Sequence, residues 1–283
     1  MLSRDIFGAA PTTIGLLAAL VFGCGSGPTE VNTTTTTGAG EDLTAGYRQA
    51  TWGANVTVSY AGGKLRYVSN GIPNHTRQAE YAVGGGPVPS AANAVAVADP
   101  TRAQNYDYQI PLAPVKAASP TATNLGVIGV MISGASLFNP YEGDGTTVAT
   151  QSNFSVKGTG GGDVWFLDSC NGHPTPTMGT YHYHALPGCV TAMVDAANGP
   201  SHIIGIAFDG YPIYGDRDID GKAVNAASLD GCNGITSPTP EFPKGVYHYV
   251  LLNVAGPASS IRCFSGVVDA SLVQSGGMPG MRP

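Results

Sequence analysis

Short apolar or alternating runs recur along the chain: Val56 to Tyr60, Leu65 to Val68, Tyr106 to Ile110, Val127 to Ile132, Val164 to Leu167, Ile203 to Phe208 and Val246 to Leu252. Gly, Pro and Asn punctuate these runs, and runs of this length so bounded read as β-strands. No segment carries a long helical period. Ala91 to Ala98 is Ala-rich and fits either a short helix, limited by Pro100, or a strand through Val95 and Val97. The pattern predicts a mainly β fold, sandwich-like or built as two packed sheets.

Composition narrows the class. Of 283 residues 42% are hydrophobic, and 13 Tyr supply packing material, so the 40 Gly and 21 Pro read as turns in a globular chain and not as disorder. Charged residues make up 11% and the net charge is −6, which leaves no basic surface for a phosphate backbone and excludes nucleic acid as the partner.

The N-terminus predicts the compartment. Ile14 to Phe22 is an apolar run too short for a permanent membrane helix, preceded by a single Arg, and reads as an export signal over residues 1–24. It closes on Val21-Phe22-Gly23-Cys24, which resembles the bacterial lipobox, so Cys24 is the expected lipidation site. Residues 25–44, rich in Thr and Gly, then read as a flexible tether. The expected location is the bacterial cell envelope, periplasmic or at the cell surface, with the membrane as partner through the lipid anchor. Residues 271–283 read as a C-terminal tail.

Without Cys24 four cysteines remain, Cys170, Cys189, Cys232 and Cys263. In an exported chain an even number with no C-x-x-C spacing predicts two disulfides. Their pairing follows from a degenerate internal repeat, over about residues 165–190 and 228–264. Leu167-Asp168-Ser169-Cys170-Asn171-Gly172-His173 returns as Leu229-Asp230-Gly231-Cys232-Asn233-Gly234-Ile235, and Gly179-Thr180-Tyr181-His182-Tyr183-His184 returns as Gly245-Val246-Tyr247-His248-Tyr249-Val250. Three pairings are possible; the simplest has Cys170 with Cys189 and Cys232 with Cys263, each disulfide stapling its own unit.

These motifs resemble the YHYH family, named for the run that stands here as Tyr181-His182-Tyr183-His184. The segments Asp168 to Pro174, Asp209 to Gly215 and Ser69 to Thr76 resemble the family's other motifs, and the resemblance covers about residues 65 to 266 within a domain drawn at 45–270. It departs where Ile235 and Val250 replace His in the second unit. The resemblance implies the domain and leaves its activity open.

Alternation on a strand puts His182 and His184 on one face and Tyr181 and Tyr183 on the other. An H-x-H pair suits Cu or Zn, with His173 as the nearest further ligand and His202 the next. Asp168 and Asp230, each before an Asn-Gly dipeptide, read as turn-fixing. Asp209 is read as facing the His cluster as a ligand, as support for a ligand or as a general base, or as opening a turn. Asp216, Asp218 and Asp220 followed by Gly221 match the first half of a Ca loop, although Ala227 stands where a closing Glu is needed. No G-x-S-x-G, phosphate-binding Gly loop with Lys, or H-E-x-x-H occurs. Two functions follow: a metalloprotein with a His site, or a non-enzymatic surface module whose loops bind a small molecule, glycan or protein.

Overall fold

In a computed structural model that describes residues 40–273, the centre of the fold is an eight-stranded mixed sheet. Its strands are β1 (Val127–Met131), β2 (Ser136–Phe138), β3 (Gly172–Pro174), β4 (Tyr181–Tyr183), β5 (Ile203–Ala207), β6 (Pro212–Tyr214), β7 (Gly234–Ser237) and β8 (Val246–Val250). They lie in the order β3-β4-β2-β1-β5-β6-β8-β7. Adding four to each strand number in the first half gives the second half in mirror order. The central strands β1 and β5 run antiparallel, with Val130 opposite Ile206, while β4 pairs parallel to β2 and β8 parallel to β6. An approximate twofold axis therefore passes through the sheet between β1 and β5.

β1 and β5 are buried along their whole length and carry unbroken apolar runs, as expected for strands covered on both faces. Each turns into the next strand through a glycine in the left-handed region, Gly134 (φ 99°) and Gly210 (φ 90°). A Cβ there would be strained and would also meet Asn55 and the Pro111 carbonyl respectively.

A three-stranded antiparallel sheet, Val56–Ala61, Lys64–Ser69 and Tyr106–Pro111, contributes Leu65, Tyr67 and Ile110 to the same core. The Tyr67 phenol ties it to β1 by donating to the Met131 carbonyl at 3.0 Å. Three strand pairs complete the architecture: Glu80–Gly84 with Ala94–Ala98, Ser155–Lys157 with Asp163–Trp165, and Lys116–Ala122 with Cys263–Gly266. The fold is mainly β in several sheets, and the Ala-rich segment is a strand.

Both expected disulfides are present, Cys170 to Cys189 and Cys232 to Cys263. The repeat is larger than the two stapled units, because β1–β2 and β5–β6 belong to it. Packing also begins within the segment read as tether: Leu43 is buried and its N–H donates to the Leu112 carbonyl at 2.8 Å. At the other end Leu272 and Val273, read as tail, pack against the core. The export signal, Cys24 and the rest of the tether, and the tail from 274 on, lie outside the described residues.

Candidate metal centre

Two loops of the repeat set the site. Asp168 accepts the backbone N–H groups of Cys170 (2.8 Å) and Gly172 (3.3 Å), and Asn171 takes the left-handed conformation (φ 57°) that turns the chain into β3. The other oxygen of Asp168 accepts the phenols of Tyr81 (2.8 Å) and Tyr181 (2.7 Å). In the second copy Asp230 likewise accepts Cys232, Gly234 and the Tyr247 phenol, and Asn233 has φ 70°. Both aspartates fix turns, as short side chains bonded to their own loop do.

With the loop fixed, β3 and β4 pair in a register that sets His173 directly opposite His182. His182 and His184 project from one face of the strand, Tyr181 and Tyr183 from the other. All three imidazoles are buried, and their Nε2 atoms converge: 3.0 Å between His182 and His184, and 3.3 Å between His173 and His184. The Nδ1 of His182 lies 3.0 Å from the Thr180 carbonyl and that of His184 lies 2.8 Å from the Asn139 carbonyl. A carbonyl only accepts, so both rings carry their proton on Nδ1 and, when neutral, present bare Nε2 lone pairs to each other. Phe138 stacks on His182 with centroids 3.8 Å apart and Phe166 lies against His173 at 4.2 Å, fixing the rings.

Burial keeps these rings uncharged. It holds His173 and His182 well below the ordinary imidazole value, helped by the neighbouring imidazoles, and brings His184 down to about 4. Neutral imidazole is the form that ligates a metal. Two nitrogens each about 2.0–2.1 Å from one ion stand about 2.9 Å apart at a right angle and about 3.3 Å apart at the tetrahedral angle. The His182–His184 and His173–His184 separations match that range.

The three rings form part of the wall of a cavity of about 430 Å³, otherwise mostly apolar and including Phe138, Leu125 and Pro87. One carboxylate shares this wall, Glu142, buried and accepting the Ser152 hydroxyl at 3.1 Å. Desolvation pushes its pKa up to about 7. Sequence reasoning passed over Glu142, whose Pro140-Tyr141-Glu142-Gly143 setting looks like any acidic turn, and over Phe138 and the Asn139 carbonyl, which carry no sequence signal.

Three predicted site residues or groups lie elsewhere. His202 pairs through Nδ1 with Glu241 at 2.8 Å and is not part of the imidazole group, since the strand it precedes, β5, belongs to the other half of the sheet. Asp209 is fully buried but faces the second copy, accepting the Tyr249 phenol at 2.5 Å and the Gly266 N–H at 2.9 Å. It therefore supports the Tyr of β8 and not a His of β4. Asp216, Asp218 and Asp220 form no convergent ligand group among the described residues. Asp218 accepts the N–H groups of Asp220 and Lys222 within a tight turn, and Asp220 meets Lys222 Nζ at 3.4 Å, so these two carboxylates are engaged in the turn and at its surface.

The tyrosine face is equally ordered. Tyr183 is bonded to His75 Nε2 at 2.6 Å and to Ser133 at 2.9 Å. His75 also lies beside Cys170 and Cys189, but those sulfurs are joined to each other and offer no thiolate.

Residues 107–224 match the sequence model of a family described as YHYH protein. The match covers the first stapled unit and β5–β6 and stops before the second unit, so it is over this part that the chain is similar to the family. No curated protein and no solved structure matches the chain.

Proposed function

We propose that this YHYH-domain chain is an exported, lipid-anchored metalloprotein that holds one transition-metal ion, copper or zinc, on the Nε2 atoms of His173, His182 and His184. The carrying observation is the pair of bare lone pairs of His182 and His184 at 3.0 Å. Two neutral acceptors facing each other repel unless a cation lies between them, and burial opposes a proton in that place. A metal ion satisfies all three nitrogens at once, and the backbone carbonyls on Nδ1 supply the outer partners that orient metal-bound imidazoles. Three protein ligands leave a tetrahedral ion one position open, the arrangement of sites that bind or activate a small molecule. The cavity is the space in which that molecule would sit, and Glu142 is the group there able to exchange a proton near neutrality. The anchor at Cys24 and the cell-envelope location rest on the signal and lipobox alone.

The test is metal content by mass spectrometry on the chain purified without chelator, beside a His182→Ala/His184→Ala double variant. One equivalent of copper or zinc, lost in the variant while the fold persists, is the expected result. Absence of any transition metal from both proteins, even after incubation with each ion, would remove this reading.

A further inference from the structure

The twofold relation of the sheet duplicates the cavity as well as the strands. Phe138 of β2 corresponds to Tyr214 of β6, His173 to Ile235, His182 to His248 and Glu142 to Asp218. The second member of each pair lines a second cavity, of about 400 Å³. The backbone frame is the same: Ile235 stands opposite His248 as His173 stands opposite His182. The Nδ1 of His248 lies 3.0 Å from the carbonyl of Val246, two residues before it, as that of His182 does from Thr180. Tyr214 covers His248 edge-on with centroids 4.8 Å apart. Yet Ile235 and Val250 replace the other two imidazoles, so this cavity offers a metal one nitrogen only.

What remains is a polar atom on a buried side chain that lines a built space. His248 is 5% exposed, it lines the cavity, and its Nε2 has no hydrogen-bond partner among the described residues. Burial lowers its basicity, so the ring stays neutral, and with its proton on Nδ1 the Nε2 is an acceptor that requires an O–H or N–H from the occupant. Donors line the same cavity: the Ser237 hydroxyl, the Asn225 amide, and Arg217, whose Nη1 reaches the Gly221 carbonyl at 2.8 Å. Ile235 and Pro238 give an apolar wall.

The charges select among occupants. Arg217 and Asp218 both line the cavity, so their opposite charges favour neither a cation nor an anion, and a simple carboxylate would also bring its lone pairs against those of Nε2. A hydroxyl donates to Nε2 and accepts from Ser237 or Arg217 at the same atom, and a ring bearing several hydroxyls presents an apolar face between them. We infer that the second cavity is a metal-free binding site for a neutral polyhydroxylated molecule of monosaccharide size, with His248 as the acceptor at its base.

The experiment is a titration of the chain, carrying ¹⁵N-labelled histidine, with methyl α-D-glucopyranoside, N-acetylglucosamine and myo-inositol, following the His248 Nε2 resonance. At least one of the three is expected to shift that nitrogen saturably with a dissociation constant on the order of millimolar or tighter. His248→Phe, read by calorimetry, removes the acceptor while keeping an aromatic against Tyr214. Ile235→Trp fills the cavity from the facing strand while leaving the His248 imidazole in the chain. Both should weaken binding at least tenfold, and His182→Ala/His184→Ala should leave it intact, which separates this site from the metal centre. Sodium acetate and methylammonium should not move the resonance. Silence of the His248 nitrogen toward all three neutral probes at about 50 mM would overturn the inference. Affinity that survives both cavity variants, or a saturable response to acetate alone, would overturn it too.

Discussion

Glu142 holds a carboxyl in an otherwise largely apolar wall with one hydroxyl partner, and its titration is written into the stability of the fold. Its pKa rises from the ordinary 4.5 to about 7 because burial disfavours the charged form. Between those values the folded chain keeps a proton that the unfolded chain releases, so stability falls as pH rises through the window and the full penalty applies above pH 7. Glu142→Gln keeps the size and the acceptor for Ser152 and removes the charge. The variant is expected to be more stable than the wild type at pH 8 by about 1–3 kcal/mol, and nearly equal to it at pH 4. Urea denaturation at the two pH values measures this. A difference that does not change with pH would mean that Glu142 is solvated in the folded chain.

The loop before β3 and its twin before β7 are the same device in two settings, and the difference is energetic. Asp168 is buried and serves two N–H groups and the buried phenols of Tyr81 and Tyr181. Asp230 is exposed and serves two N–H groups and Tyr247. Asp168→Ala strands several buried polar groups, each costing about 1–3 kcal/mol, so a loss of about 3 kcal/mol is expected, against about 1 kcal/mol for Asp230→Ala where water replaces the carboxylate. Equal losses by urea denaturation would refute the ranking. These loops were legible in the sequence because Asp, Asn-Gly and Cys are each required by turn geometry or bonding and cannot be exchanged. The matching repeat of β1–β2 and β5–β6 was not read. Buried strands exchange Val, Ile, Met and Phe freely, leaving only Gly129 with Gly205 and Gly134 with Gly210 as markers. For the same reason the sequence does not show which half Asp209 serves: it opens the turn at Gly210 by accepting the Tyr211 N–H at 3.3 Å, and it is the counterpart of Ser133, which meets Tyr183 as Asp209 meets Tyr249. Only the three-dimensional repeat shows that a carboxylate in the second half replaces a hydroxyl in the first.

At the scale of the molecule, one sheet carries two related halves, each closed by its own disulfide and each backing its own cavity. The Cys170–Cys189 bond closes a separation of 19 residues that contains His173, His182 and His184, while Cys232–Cys263 closes 31 residues that contain none of them. Loop-closure entropy grows only slowly with length, so removing either bond should cost a similar amount of global stability, about 2–4 kcal/mol. Their effects on the metal centre should differ. Without Cys170–Cys189 the segment bearing all three ligands regains freedom that binding must then remove, so Cys170→Ala/Cys189→Ala is expected to weaken metal affinity about tenfold or more, as loosening of ligand-orienting groups does. Cys232→Ala/Cys263→Ala should weaken affinity less, by about threefold at most, because the segment it closes holds none of the three imidazoles and meets the site through backbone carbonyls, Ser259 donating to that of His184 at 3.2 Å and Ser260 to that of Phe138 at 2.7 Å. Competition with a chromophoric chelator measures both, with thermal melts confirming that each variant is folded at the assay temperature. If the two variants lose affinity equally, the halves are coupled as one cooperative unit and the division of the sheet into a metal half and a metal-free half fails as a description of its energetics.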